Sequence, residues 1–351
     1  MKRRSSIIAG RLASLAIVGL SIVAALALQG CQDAARPLSP APMMSVATAE
    51  PAPLVPRIIA PQTTDPEIDW IPTVNPQFNQ HYVWLDPSQK ANPKLFVFLP
   101  GATGKPRGYQ LLEQEAARLG YHVIGLMYHN EFSIAASCDP TGDLDCAGNM
   151  RFENIEGVDR SPFVATNRAN GIENRLTKLL LYLDAQYSDE GWSQFLNNGE
   201  PKWTQIAVGG HSLGAGQAAM IGTLHPVDRV IMIAGPAPEA GYAWATIGRT
   251  PAVKYLELVH LRDHFSTVII ANVDAFDLER FGEAVAPELS APPYSGAHVL
   301  VTDLEPPGGY ATPNPHLSTA VDFATPRASD GTPLLRDAWR YLLGEPPIAG
   351  P

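Results

Sequence analysis

Residues 205–224 read QIAVGGHSLGAGQAAMIGTL. The first part, 205–210, is an apolar run of strand length, and 214–224 is a small-residue and apolar run that reads as helix. Ser212 sits between them, flanked by Gly210 and Gly214 in the pattern G-x-S-x-G. A chain turning sharply from strand into helix leaves no room for side chains beside the turn residue, a restriction that glycine meets. The serine hydroxyl is then presented above the strand ends. The same five residues can also form a plain small-residue turn that packs a helix onto a sheet. The surrounding pattern has to decide.

Outward from this stretch, strand-length apolar runs alternate with helical patterns. Residues 81–86, 94–101 and 121–128 read as strands upstream, and 229–235, 254–261 and 297–304 downstream. Helical periodicity marks 109–120, which ends on Gly120, then 171–187 and finally 333–343. Near-continuous apolar strands separated by helices predict an α/β fold, a mostly parallel central sheet with helices on both faces.

On the Gly210-His211-Ser212-Leu213-Gly214 pentapeptide, set between strand and helix, the chain resembles the α/β-hydrolase superfamily. The likeness runs from the strand at 81–86 to the last helix, and the GHSLG form is common among lipases and esterases of that family. It implies a serine nucleophile at Ser212, with acid and histidine following in that chain order. Asp263, after the strand at 254–261, stands where the family usually places its acid. Glu239 occupies the less frequent position, and Asp274 lies further on in a predicted helix. As a plain structural residue, Asp263 would cap a helix or pair with Arg262. For the histidine, His316 follows the last strand and His298 opens it. Strand direction favours His316, while the spacing from Asp263 favours His298. His211 reads as packing within the turn, and His260 and His264 merely flank the acid.

The resemblance also implies an oxyanion hole built from the backbone N–H of Leu213 and a second N–H in the loop FLPGATG, 98–104. Gly101 allows that loop to turn, and the donor is Ala102 or Thr103. Pro100 departs from the His-Gly that many family members carry there. The implied activity is carboxylic ester hydrolysis through an acyl-enzyme, with no cofactor and no metal. Two alternatives keep the same fold: a ligand-binding lipoprotein without chemistry, and an acyltransferase using the same triad.

The chain has 351 residues, a 45% hydrophobic content and a formal net charge of −10. With no basic stripe beyond the first residues, nucleic-acid phosphate is excluded as a partner. At the N-terminus, Lys2, Arg3 and Arg4 precede an apolar segment ending in Leu28-Gln29-Gly30-Cys31. This resembles the lipobox of bacterial lipoproteins, which implies a signal peptide over 1–30 and lipid on Cys31. An ordinary signal peptide and a single membrane anchor are the alternatives. Arg3-Arg4 hints at a twin-arginine signal that the following residues do not fit. Gln32 is not the aspartate that retains lipoproteins in the inner membrane, so the expected destination is the outer membrane in a Gram-negative cell and the cell surface otherwise. The protein would meet the membrane through Cys31 and a small-molecule or lipid ester through its pocket.

Eight prolines between Pro37 and Pro66 predict an extended tether over 31–66 that cannot maintain a hydrogen-bonded ladder. The hydrolase-like domain then occupies 67–351. Residues 131–167 read as a long insertion, a candidate lid or pocket wall. It holds Cys138 and Cys146, which an oxidising compartment would allow to pair. Asp139, Asp143 and Asp145 are spaced loosely like calcium ligands, but no glutamate completes the set, and a solvated acidic loop is the simpler reading.

Overall fold

Along each strand run, successive side chains point to opposite faces, so a strand apolar at every position must be covered on both sides. A computed structural model describes residues 54–236 and 244–345 and shows this arrangement. Eight strands form one sheet: β1 (Arg57–Ile59), β2 (His81–Trp84), β3 (Leu95–Leu99), β4 (His122–Gly125), β5 (Ile206–His211), β6 (Arg229–Ile233), β7 (Tyr255–His260) and β8 (Val299–Thr302). Their order is β1-β2-β4-β3-β5-β6-β7-β8. The six from β4 to β8 in that order run parallel, and β1 and β2 pair antiparallel at one edge.

Leu95, Val97, Leu99, Val208 and Met232 face one core, which α3 (Cys146–Glu156), α4 (Ile172–Gln186) and α5 (Leu213–Leu224) cover. Phe96, Phe98, Ala207 and Ile231 face the other, beneath α1 (Gln110–Arg118) and α8 (Arg336–Leu342). Phe96 and Phe98 are wholly buried. Truncating either to alanine would cost about 3–5 kcal/mol. The other α-helices of five or more residues among the described residues are α2 (Ile134–Cys138), α6 (Ser266–Ala275) and α7 (Asn314–Ser318), and Pro61–Thr64 forms a single short turn of helix.

Two expectations are corrected here. Part of the segment read as tether is not one: Arg57–Ile59 pairs with His81–Val83 as an edge strand, and Ile59 and Pro61 are buried. The four residues between Pro56 and Pro61 carry their own N–H groups, and an edge strand needs partners on one side only. Likewise 131–167 is not a loop throughout, because it contains α2 and α3. The Cys138–Cys146 disulfide joins the end of one to the start of the other. The polar face of α3 hid it, because that face points inward. Buried Glu153 accepts from the N–H groups of Arg160, Ser161 and Thr166 at 2.9, 2.8 and 3.2 Å, fastening the segment that follows. The predicted signal peptide, Cys31 and the tether as far as residue 53 lie outside the described residues.

Candidate functional site

β5 ends on His211 and α5 starts on Leu213, so Ser212 alone makes the turn. Its backbone stands at φ 55°, ψ −116°. A non-glycine residue remains there only when its surroundings hold it. The Ser212 N–H donates to Ile233 O at 2.8 Å, and Ser212 O accepts from the Ala215 N–H at 3.0 Å. A Cβ on Gly210 would lie 2.2 Å from Gly214 O, and one on Gly214 would lie 2.0 Å from Leu99 O. Both flanking glycines are therefore required by sterics.

Asp263 follows β7 at the same end of the sheet, and His316 arrives on α7, after β8. His316 Nδ1 lies 2.7 Å from Asp263 Oδ2. The other carboxylate oxygen accepts from the Phe265 N–H at 2.9 Å. Burial pushes the Asp263 pKa up. The His316 hydrogen bond and charge, with the Phe265 N–H, outweigh that and hold it below the usual aspartate value. Since a carboxylate only accepts, Nδ1 carries the ring proton and Nε2 is left as a free lone pair. Ser212 and His316 line one cavity of about 560 Å³, together with Ala102, Phe265, Leu317 and Phe323. A hydroxyl, a correctly polarised imidazole and an orienting carboxylate are the parts that nucleophilic acyl transfer needs.

His298 is not brought to this cavity. It precedes β8 at the opposite end of the sheet, with Nδ1 2.8 Å from Tyr255 O and its ring stacked on Phe281. The more ordinary spacing from Asp263 that favoured it is outweighed by strand direction. Arg262 pairs with Asp303 rather than Asp263. Asp274 is exposed near the end of α6, and Glu239 lies outside the described residues. His260 bonds Leu304 O and the Arg262 N–H. His264 lines the cavity, with Nδ1 3.4 Å from Asp263 Oδ1. Among the described residues there is no group of three or more His, Cys, Asp or Glu side chains that could hold a metal ion. Asp143 instead accepts from the Asp145 N–H at 2.9 Å, a local turn.

His211 is a structural member of the site. Its Nε2 lies 3.0 Å from His316 O, so Nε2 carries the proton, and Nδ1 accepts from the Tyr109 hydroxyl at 3.2 Å. The Tyr109 oxygen in turn accepts from the Gly101 N–H at 3.1 Å. Leu213 opens α5, where first-turn N–H groups have no acceptor within the helix. In the 100–104 loop the Thr103 N–H is engaged with Asn130 O at 3.0 Å, which leaves Ala102 as the open donor. Sequence reasoning missed Tyr109, Tyr128 and Asn130, which bind this loop, and Arg151, whose guanidinium donates to Leu213 O at 3.1 Å. The only hint was their position: Tyr128 and Asn130 end an apolar strand run, where chain leaves the sheet beside the serine turn.

Burial, reinforced by the charge of His316, pushes the pKa of His211 down to about 3. Burial and nearby Arg175 do the same to His81, also to about 3. An unfolded chain protonates these rings near 6.5 and the folded one resists. Each group therefore lowers stability as pH falls from 6.5 toward 3, by up to about 1.4 kcal/mol per pH unit. Buried Glu113 and Glu257, pushed well above the carboxylate range by burial, act oppositely and lower stability as pH rises above the ordinary glutamate value of 4.5. We expect nitrogen-15 spectra at pH 5 to show both imidazoles neutral. A protonated His211 at that pH would contradict the buried network. No protein-family model and no curated protein matches this chain.

Proposed function

We propose that the protein is a serine hydrolase of the α/β-hydrolase type that cleaves a carboxylic ester. One observation carries the reading: His316 Nδ1 meets Asp263 Oδ2 at 2.7 Å, in the cavity that holds Ser212 on its strained strand-to-helix turn. Ser212 Oγ attacks the ester carbonyl while His316 Nε2 takes its proton, and Asp263 holds the resulting imidazolium. The N–H groups of Leu213 and Ala102 receive the oxyanion, an arrangement supported by Ala102 lying in the loop after β3. His316 returns the proton to the departing alkoxide. Water, deprotonated by His316, then attacks the acyl carbonyl, and His316 returns that proton to Ser212 Oγ as the acid leaves. The cavity is large enough for a small or medium acyl group. Lipid on Cys31, holding the enzyme at an outer membrane or cell surface, belongs to the same proposal.

The test is incubation of the full chain with a fluorophosphonate, followed by peptide mapping and by turnover of p-nitrophenyl butyrate. The expected label sits on Ser212 and disappears in Ser212→Ala along with turnover. A wild-type chain that neither labels nor turns over ester would remove the proposal.

A further inference from the structure

We infer that Asn130 is a positioning residue that sets the oxyanion loop, an inference that rests on the ester-hydrolase reading of the same site. Asn130 stands a few residues beyond the end of β4, and its side chain is wholly buried. Its Nδ2 donates to Gly101 O at 2.7 Å and to Gly104 O at 2.8 Å, so one amide group spans the loop from end to end. Its backbone oxygen accepts from the Thr103 N–H at 3.0 Å. Both Nδ2 hydrogens are thus engaged by carbonyls. The reversed amide would set its oxygen against two other oxygens, which fixes the orientation.

The loop needs such a hold. Thr103 stands at φ 58°, in the left-handed region that a β-branched residue leaves unless it is held. Gly101 is pressed against the turn itself, since a Cβ there would lie 2.8 Å from His211 Nδ1 and 3.2 Å from Ser212 Cβ. Two phenols complete the fastening: Tyr128 OH donates to Pro100 O at 2.7 Å, and Tyr109 OH accepts from the Gly101 N–H. Ala102 lies between the two carbonyls that Asn130 grips. The direction of its N–H therefore depends on that grip, and Asn130 acts on the reaction without lining the cavity. Turning Thr103 N–H toward Asn130 also removes the competing donor.

An oxyanion donor matters in the transition state and little in the ground state, so its displacement lowers kcat and leaves KM. The test uses the full chain and Asn130→Asp, which keeps the shape but sets a carboxylate against Gly101 O and Gly104 O. With p-nitrophenyl butyrate we expect kcat to fall about 100-fold and KM to change less than about twofold. The Ki of an aryl trifluoromethyl ketone, which forms an oxyanion on the serine, should rise by the same factor as kcat/KM falls. Asn130→Ser, whose side chain is too short to span Gly101 O and Gly104 O and which adds no charge, should show the same pattern at about tenfold or more, and it answers the question if Asn130→Asp does not fold. Unchanged kcat in the folded variant, or a fall in kcat with no rise in Ki, overturns the inference while leaving the hydrolase reading intact. Absence of any wild-type turnover or labelling removes both.

Discussion

Asp263→Asn is expected to lower kcat on p-nitrophenyl butyrate by about 10⁴-fold while the protein remains folded. The reason lies in which ring nitrogen of His316 holds a proton. The Asp263 side chain is fully enclosed, and its Oδ2 is 2.7 Å from His316 Nδ1. A carboxylate can only accept, so it locks the proton on Nδ1 and leaves Nε2 basic. An asparagine can turn its NH₂ toward Nδ1, because its own oxygen is equally satisfied by the Phe265 N–H now bonded to Asp263 Oδ1. The ring then carries its proton on Nε2 and cannot take one from a hydroxyl. The shape is unchanged, so KM should move little, and Ser212 should react more slowly with a fluorophosphonate. A loss smaller than about tenfold would remove Asp263 from the role assigned to it.

A stability signature accompanies that loss. The Asp263 pKa is depressed in the folded chain, so its contribution is present above the unfolded value of 3.8 and disappears as pH falls through the folded one. Part of the acid sensitivity of the wild-type chain below that value should therefore be missing in Asp263→Asn.

How much of this was written locally in the chain depends on the distance over which each residue acts. Strand runs such as LFVFL at 95–99 carry their fate in themselves, since five consecutive apolar residues demand two covered faces. The turn at Ser212 is equally local, and so is Asp263, three residues past the end of β7. The choice between His316 and His298 was not local, because it turned on which end of a strand faces Ser212. That required the direction of β8 relative to β7, a pairing of residues about 40 positions apart. Helix α3 defeated the hydropathy pattern because Arg151, Glu153 and Asn154 are polar and buried, each committed to a partner elsewhere in the chain. Asn130 and Tyr128 reach loop residues 26 to 29 positions away. A one-dimensional pattern records what a residue is, and these residues are defined by what they hold.

The glycines of the turn allow the strongest statement about the fold itself. Gly214→Ala is expected to destabilise the protein by about 3 kcal/mol or more, a large share of the roughly 5–15 kcal/mol that keeps a domain folded. The added methyl would lie 2.0 Å from Leu99 O and 2.7 Å from Pro100 O, and both are backbone atoms. No rotamer change relieves such a clash. Relief requires α5 to move off β3, and α5 belongs to the core that Leu95, Val97 and Leu99 also build. Gly210→Ala meets Gly214 O at 2.2 Å and should behave alike. Gly108→Ala is the matched control: nothing stands within 4 Å of a Cβ there, and its φ is not positive. It should change stability by no more than about 0.5 kcal/mol. The measurement is the urea midpoint of each full-length variant followed by far-ultraviolet circular dichroism. If Gly214→Ala unfolds at the wild-type midpoint, β3 and α5 do not approach as closely as described, and the strained Ser212 turn that depends on their contact loses its physical basis.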